Sequence, residues 1–229
     1  MLELKNIEYE ILRDKVVRNF SLKVEKGEVV TLFGPSGCGK TTILRLISGL
    51  NEPRKGEISN NFKKMTYFFQ ENRLLTWKNA LENVFLVMDK PDQNIVLKLF
   101  AKVGLSQKDA LKYPSELSGG MRQRVAFVRA VVTKPDLLLM DEPFSGLDYD
   151  MKEILIDIVT RRVEEGMSVV LVTHDRMEAA RMSSKICFLA SKGAVIEREL
   201  ELDLAFSQRD FAYASGVIDE NFKGKIYYD

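Results

Sequence analysis

The sequence predicts an α/β domain with an antiparallel β portion at its N-terminus and a helical insertion in its middle. Three observations predict it. An apolar run at residues 28–33 ends in a glycine-rich stretch, and residues 41–50 follow with helical spacing, the order of strand, loop and helix that opens an α/β unit. Residues 76–113 then read as helices with no clear strand among them. After Ser118 helix and strand alternate again.

In chain order, Leu2, Leu4, Ile7 and Tyr9 alternate with polar residues, and residues 16–24 are rich in β-formers, which together predict an antiparallel edge sheet. Residues 64–69 suggest a further strand. In the insertion, Asp92 is placed to cap a helix and Gly104 to stop one. A helix is predicted over 118–133, a strand over 137–140, and an amphipathic helix over 151–163 ended by Gly166. A strand at 168–173, a helix at 176–182 and a hairpin pairing 185–190 with 194–198 across Lys192-Gly193 complete the pattern. The last 25 or so residues carry no motif. The whole chain, 1–229, reads as one domain: residues 1–75 and 135–229 form the α/β core, and about 76–134 the helical part.

Composition limits the function. Lys plus Arg is 34 and Asp plus Glu is 33, so a net charge of +1 offers no basic field for nucleic acid or an anionic membrane. Any phosphate chemistry must be local. Cys38 and Cys187 are the two cysteines and form no metal or disulfide pattern. No apolar run approaches a membrane span and the first residues lack a signal-peptide core, so the expected location is cytoplasmic, with any membrane work done through a partner chain.

Gly34-Pro35-Ser36-Gly37-Cys38-Gly39-Lys40-Thr41 fits G-x-x-x-x-G-K-[ST] between a predicted strand and helix. Glycines let backbone N–H groups turn inward around phosphate oxygens, Lys40 reaches the terminal phosphates, Thr41 offers its hydroxyl to Mg²⁺, and the helix N-terminus adds positive potential. A chance match is expected in roughly one protein in a hundred of this length. The apolar run 137–140 leads to Asp141 and Glu142. These are either an ordinary strand end or, after a phosphate loop, a Mg²⁺-holding carboxylate acting through water and a carboxylate facing the attacking water. Ser118, Gly119 and Gly120 open a helix as a plain N-cap or as an anion site.

Taken together these segments resemble the ABC (ATP-binding cassette) ATPases over roughly residues 1–200. Gly34 to Thr42 resembles the Walker A loop, Gln70 the Q-loop glutamine, and Ser118-Gly119-Gly120-Met121 the signature motif, with Met121 where Gln is frequent. Asp141-Glu142 resembles Walker B with its catalytic glutamate, and Ser145-Gly146-Leu147-Asp148 the D-loop, with Gly146 where Ala is frequent. His174, the chain's only histidine, resembles the switch histidine. The resemblance implies a P-loop NTPase core of ABC type. It also implies ATP-dependent head-to-tail homodimers in which the Walker A loop of one copy and Ser118, Gly119 and Gly120 of the other enclose each ATP. Glu142 would be the general base, His174 would position water and γ-phosphate, and Gln70 would contact Mg²⁺ and signal to a membrane subunit. The family's adenine-stacking aromatic falls at Ile11 in an ungapped comparison. Tyr9, two residues away, is taken for that role, with a core or surface tyrosine as the alternative.

The run from Phe68 to Trp77, followed by Glu82-Asn83-Val84, is similar to importers of nitrate, sulfonate, taurine and thiamine-precursor type, which often read F-Q-E-x-x-L-L-P-W and then E-N-V; Thr76 stands in place of the proline. This implies a transmembrane permease partner, a solute-binding protein acting indirectly, and a small anionic or vitamin-precursor solute. Residues 71–87, with Arg73, Leu74, Leu75 and Trp77, are the expected docking surface, unless these side chains pack the insertion's own core. Non-transport ABC ATPases of DNA repair or translation are the alternative; they usually carry a long coiled-coil insertion or a second cassette, neither seen here. A non-catalytic scaffold is disfavoured by intact Glu142 and His174. Cys38 is expected to be accessible and protected by MgATP, and Cys187 shielded.

Overall fold

Alternation at the N-terminus produces β1 (Leu2–Ile11), which pairs antiparallel with β2 (Asp14–Val24). The computed structural model describes residues 1–222. β3 (Val29–Phe33) is followed by the glycine loop and α1 (Lys40–Ile47). β4 (Lys55–Asn60) then adds to the other edge of β1, giving the order β2-β1-β4. No pattern in the sequence predicts this strand. Most of its residues are exposed, so no apolar alternation betrays it; pairing with β1 supplies the order its composition does not.

β5 (Met65–Phe68) enters the second sheet. The insertion comprises α2 (Ala80–Phe85), α3 (Gln93–Lys102) and α4 (Gln107–Ala110), and α5 (Gly119–Val131) leads back to the core. Asp92 caps α3 through its carboxylate, and Gly104, at φ 67°, follows its end in the left-handed conformation that glycine tolerates best. β6 (Leu137–Asp141), α6 (Tyr149–Glu164), β7 (Ser168–Thr173), α7 (Arg176–Met182), β8 (Lys185–Leu189) and β9 (Ile196–Glu201) complete the alternation.

Among the described residues the second sheet has the order β5-β6-β7-β3-β8-β9, parallel throughout except for β9. Its central strands are buried on both faces and feed two cores. Leu137, Leu139, Val170 and Val172 face α1 and the antiparallel sheet, whereas Leu138, Met140, Val169 and Leu171 face the helical side. α1 is therefore clamped between two sheets, which fixes the loop before it. The tail contains α8 (Phe211–Asn221), which the sequence did not reveal. Phe222, just beyond it, meets Phe33 edge-on, with ring centroids 4.9 Å apart. That contact braces the strand end from which the glycine loop springs. Residues 223–229, the last of the predicted domain, lie outside the described residues.

Candidate functional site

The parallel register fixes where the site forms. Phe33 pairs with Thr173, Asp141 with Val172, and Phe68 with Met140. The carboxyl ends of β3, β5, β6 and β7 thus share one edge of the sheet, the edge at which open α/β sheets hold ligands. Gly34 to Thr42, Gln70, Asp141-Glu142 and His174 all lie at or just past these ends.

A cleft of about 340 Å³ opens there, lined by Val16, Ser36, Gly37, Gly39, Lys40, Thr41, Thr42, Gln70 and Glu142. Gly39 at φ 109° turns the chain into α1, and a Cβ there would lie 2.8 Å from the Val16 carbonyl oxygen, so glycine is required on two counts. α1 has no side-chain cap. By contrast, Asn79, Asp92, Ser106, Ser118, Asp148, Asp175 and Asp210 cap the other described α-helices. The first-turn N–H groups of α1, which have no partner inside the helix, are directed at the cleft with the positive end of the helix dipole. The Lys40 ammonium donates to the carbonyls of Gly34 and Pro35, both at 2.7 Å, and so lies along the loop.

Beside this anion-seeking end stand oxygen ligands. Thr41 Oγ1 donates to Asp141 Oδ1 at 3.1 Å, and the Tyr67 hydroxyl donates to Oδ2 at 3.2 Å. Burial pushes the Asp141 carboxyl above its ordinary range, opposed by those two donors. Burial, and then the Asp141 charge, also push the Tyr67 phenol up, so it remains a donor. Glu142 sits at φ 46°, a left-handed conformation that costs a non-glycine residue of order 1 kcal/mol and marks functional turns. Its N–H donates to the Val172 carbonyl at 2.9 Å. Its carboxylate is held from two sides: Gln70 Nε2 donates to Oε2 at 3.2 Å and His174 Nδ1 lies 3.2 Å from Oε1. His174 is itself largely exposed. Its neighbours are anchored: Thr173 Oγ1 donates to the buried Glu178 at 2.6 Å and accepts from the Asp175 N–H at 3.0 Å, and Lys152 bridges Asp175 and Glu178.

Some of the named residues lie outside this cleft, and one expectation, that of an accessible Cys38, changes. Ser118, Gly119 and Gly120 do not line this cleft. They open α5, where Ser118 accepts from the Met121 N–H at 3.2 Å and Gly120 faces Leu147. Tyr9 does not line it either; it packs partly buried against the core between the sheets, and Val16 forms the wall on the β2 side. Cys38 is not accessible: it is 1% exposed, turned inward between left-handed Gly37 and Gly39, beneath Gly34. Burial raises the thiol pKa of Cys38 and, more strongly, of Cys187. With neither thiolate favoured and neither sulfur exposed, a thiol reagent is expected to label both cysteines only after unfolding. Rapid labelling of Cys38 in the native chain, counted by absorbance with and without denaturant, would contradict the placement.

The roles of three residues are not visible in the sequence. Tyr67 carries no signal beyond its place in a predicted strand. Arg129 of α5 donates to the carbonyls of Asn72 and Arg73 at 2.7 and 2.9 Å, tying that helix to the segment after Gln70. Asn83, wholly buried, accepts from the Leu75 N–H and donates to the carbonyls of Leu75, Lys78 and Asn79. It staples the loop that presents Trp77, which is 70% exposed.

A family model described as ABC transporter matches residues 17–145. The aliphatic sulfonates import ATP-binding protein SsuB of Albidiferax ferrireducens is 36% identical over 225 residues, spanning 93% of this chain and 80% of that one. The corresponding SsuB 1 of Rhodococcus jostii is 39% identical over 207 residues, spanning 88% and 83%. Among solved structures, the dimeric post-hydrolysis state of the ATP-binding cassette MJ0796 bound to ADP and Pi superposes with a TM-score of 0.79 at 29% identity, over 89% of this chain and all of that one.

Proposed function

Since the chain belongs to the ABC transporter family and is an ATPase, we propose that it powers a membrane importer, working as an ATP-dependent head-to-tail homodimer on a transmembrane permease. The observation that carries this reading is the cleft itself: an uncapped helix end and Lys40 stand on one side, and Glu142, held between Gln70 and His174, on the other. The remaining donors of the expected site, the Ser118 hydroxyl and the N–H groups that follow it, lie outside the cleft, which supports a second copy supplying them. A γ-phosphate needs donors on more than one side.

In this reading the loop from Gly34 to Thr42 cradles the β- and γ-phosphates, and the Lys40 ammonium exchanges its carbonyl partners for phosphate oxygens. Thr41 and Asp141 would hold Mg²⁺, with Gln70 as a further contact. The donors suit it: hard oxygens, few in number, with the nucleotide and water completing the shell. When bound, Mg²⁺ neutralises charge developing on the transferred phosphoryl group. Glu142 takes the proton of the attacking water, and His174 holds that water and the γ-phosphate in line. Residues Tyr9 and Ile11 remain candidates for the adenine side, beside Val16.

The importer assignment draws on the sulfonate-import relatives and on the Phe68-to-Trp77 run; a small anionic solute such as a sulfonate is the proposed class, with a solute-binding protein delivering it. Among the described residues no helix is long and apolar enough to cross a membrane, which fits a peripheral subunit held on the inner face by the permease. Co-expression with a candidate permease tests this directly: ATP-dependent uptake in vesicles supports the reading, and hydrolysis unchanged by any permease argues against it.

The docking surface is read as residues 71–87. Leu74 packs against the helical core, but Trp77 does not. Arg73→Glu is a blunt probe, because the guanidinium lies 4.0 Å from the centre of the Phe69 ring and the change breaks that contact too. Trp77→Ala is cleaner. An exposed side chain on a stapled loop costs within about 0.5 kcal/mol of stability when removed. As an interface anchor it should contribute at least about 2 kcal/mol, or roughly 30-fold in permease affinity. Unchanged co-purification of the permease with a Trp77→Ala chain of normal melting temperature would remove Trp77 from the interface.

A further inference from the structure

Tyr67 takes no part in the activity proposed above, yet it touches the carboxylate on which that activity depends. Met65 and Tyr67 share the face of β5 that looks toward α1, because β5 runs in parallel register with β6, Tyr67 opposite Leu139. Asp141, two residues past Leu139, emerges on the same face. The result is a carboxylate, 2% exposed, with one protein donor on each oxygen: Thr41 on Oδ1 and Tyr67 on Oδ2. A phenylalanine would fill the same space on a strand whose neighbours are apolar, so the hydroxyl is the informative atom. A buried hydroxyl without a partner is costly, and this one is satisfied by Asp141.

The ring is fixed as well. It stacks on Phe69 with centroids 3.9 Å apart and planes 20° from parallel, and Arg73 lies over the Phe69 ring at 4.0 Å. Arg129 of α5 holds the adjacent carbonyls of Asn72 and Arg73. The hydroxyl is thus presented to Asp141 from a braced frame that also contains Gln70.

We propose that Tyr67 is a positioning residue for the cation site: its hydroxyl locks Asp141 Oδ2, so that Oδ1 stays beside the Thr41 hydroxyl on the side of the cleft. The proposal rests on the reading of Thr41 and Asp141 as the pair that holds Mg²⁺. Partners that orient a metal-binding group typically change metal affinity by about 10- to 100-fold when removed.

The test is a Mg²⁺ titration of the binding of a fluorescent, non-hydrolysable ATP analogue to the full chain. Tyr67→Phe keeps the ring and its stack. It is expected to keep the melting temperature and the metal-free affinity for the analogue, and to raise the half-saturating Mg²⁺ concentration about 10-fold. An unchanged Mg²⁺ midpoint overturns the proposal. So does an equal loss of metal-free and Mg²⁺-supported binding, which would make Tyr67 a packing residue. Asp141→Asn separates the premise from the proposal: if it keeps the wild-type Mg²⁺ dependence, the reading of the pair fails; if it loses that dependence while Tyr67→Phe retains it, the role of Tyr67 alone fails.

Discussion

Glu142→Gln is expected to bind ATP with near-normal affinity and to hydrolyse it about 100- to 10,000-fold more slowly, the loss typical of removing a general base. The substitution keeps the length and shape of the side chain but turns one of its two acceptors into a donor, so Gln70 Nε2 and His174 Nδ1, each 3.2 Å from the carboxylate, keep their places only if the Gln70 amide turns over or His174 Nδ1 accepts. What disappears is the basicity needed to take a proton from water. The groups that would hold the nucleotide, the N-terminus of α1 and the Lys40 ammonium, are untouched. Stability should not fall, since the Glu142 charge raises the cost of ionising its neighbour Asp141 and its removal relieves that repulsion. With binding intact and turnover blocked, the nucleotide-bound dimer should accumulate, giving an ATP-dependent shift to larger size in size-exclusion chromatography. Turnover at the wild-type rate would exclude Glu142 as the base. A dimer that forms equally without ATP would exclude nucleotide as the link between copies.

The sequence made this site legible because its parts are backbone-encoded. A glycine loop before a helix, two carboxylates after an apolar run and a histidine after another are fixed by strand ends, and parallel register then brings the ends together. Side chains whose direction depends on tertiary packing were not legible. Cys38 lies within the loop by sequence, yet two left-handed glycines on either side rotate its Cβ into the core. Tyr67 carries no local signal; its role follows only from the pairing of β5 with β6. β4 and α8 escaped for a related reason. One is a mostly exposed edge strand, and the other buries little of its own surface and is ordered by contacts around Phe222 and Arg209, whose guanidinium donates to the carbonyls of Leu202, Ser183 and Leu204. Asn83 was read as part of a family resemblance, whereas in the fold it is the hub of the loop carrying Trp77.

Gly120→Asp is the sharpest test of the head-to-tail arrangement, because the same charge should act in opposite directions on the single chain and on the dimer. Gly120 lies in the first turn of α5, which has no acidic residue there. A Cβ at this position meets only Leu147 Cδ2 at 3.9 Å, an ordinary contact, and the backbone needs no positive φ. Glycine also costs a helix up to about 1 kcal/mol relative to other residues, and a carboxylate near a helix N-terminus contributes about 0.3–1 kcal/mol. The variant should therefore melt at the wild-type temperature or above it. The cleft around Lys40 contains no residue of this turn, so ATP binding by the single chain should be unchanged. In the dimer, however, the helix end would face the γ-phosphate of the other copy, and a carboxylate there sets a like charge against it and pushes it away from the backbone donors. Losing the use of one such donor commonly costs about 100- to 1,000-fold in rate. Hydrolysis should fall at least that far, and the ATP-induced dimer of the Glu142→Gln chain should fail to form when Gly120→Asp is added. A double variant that still dimerises on ATP would place α5 outside the nucleotide interface, and a variant that loses ATP binding as a single chain would mean that this turn acts on its own cleft.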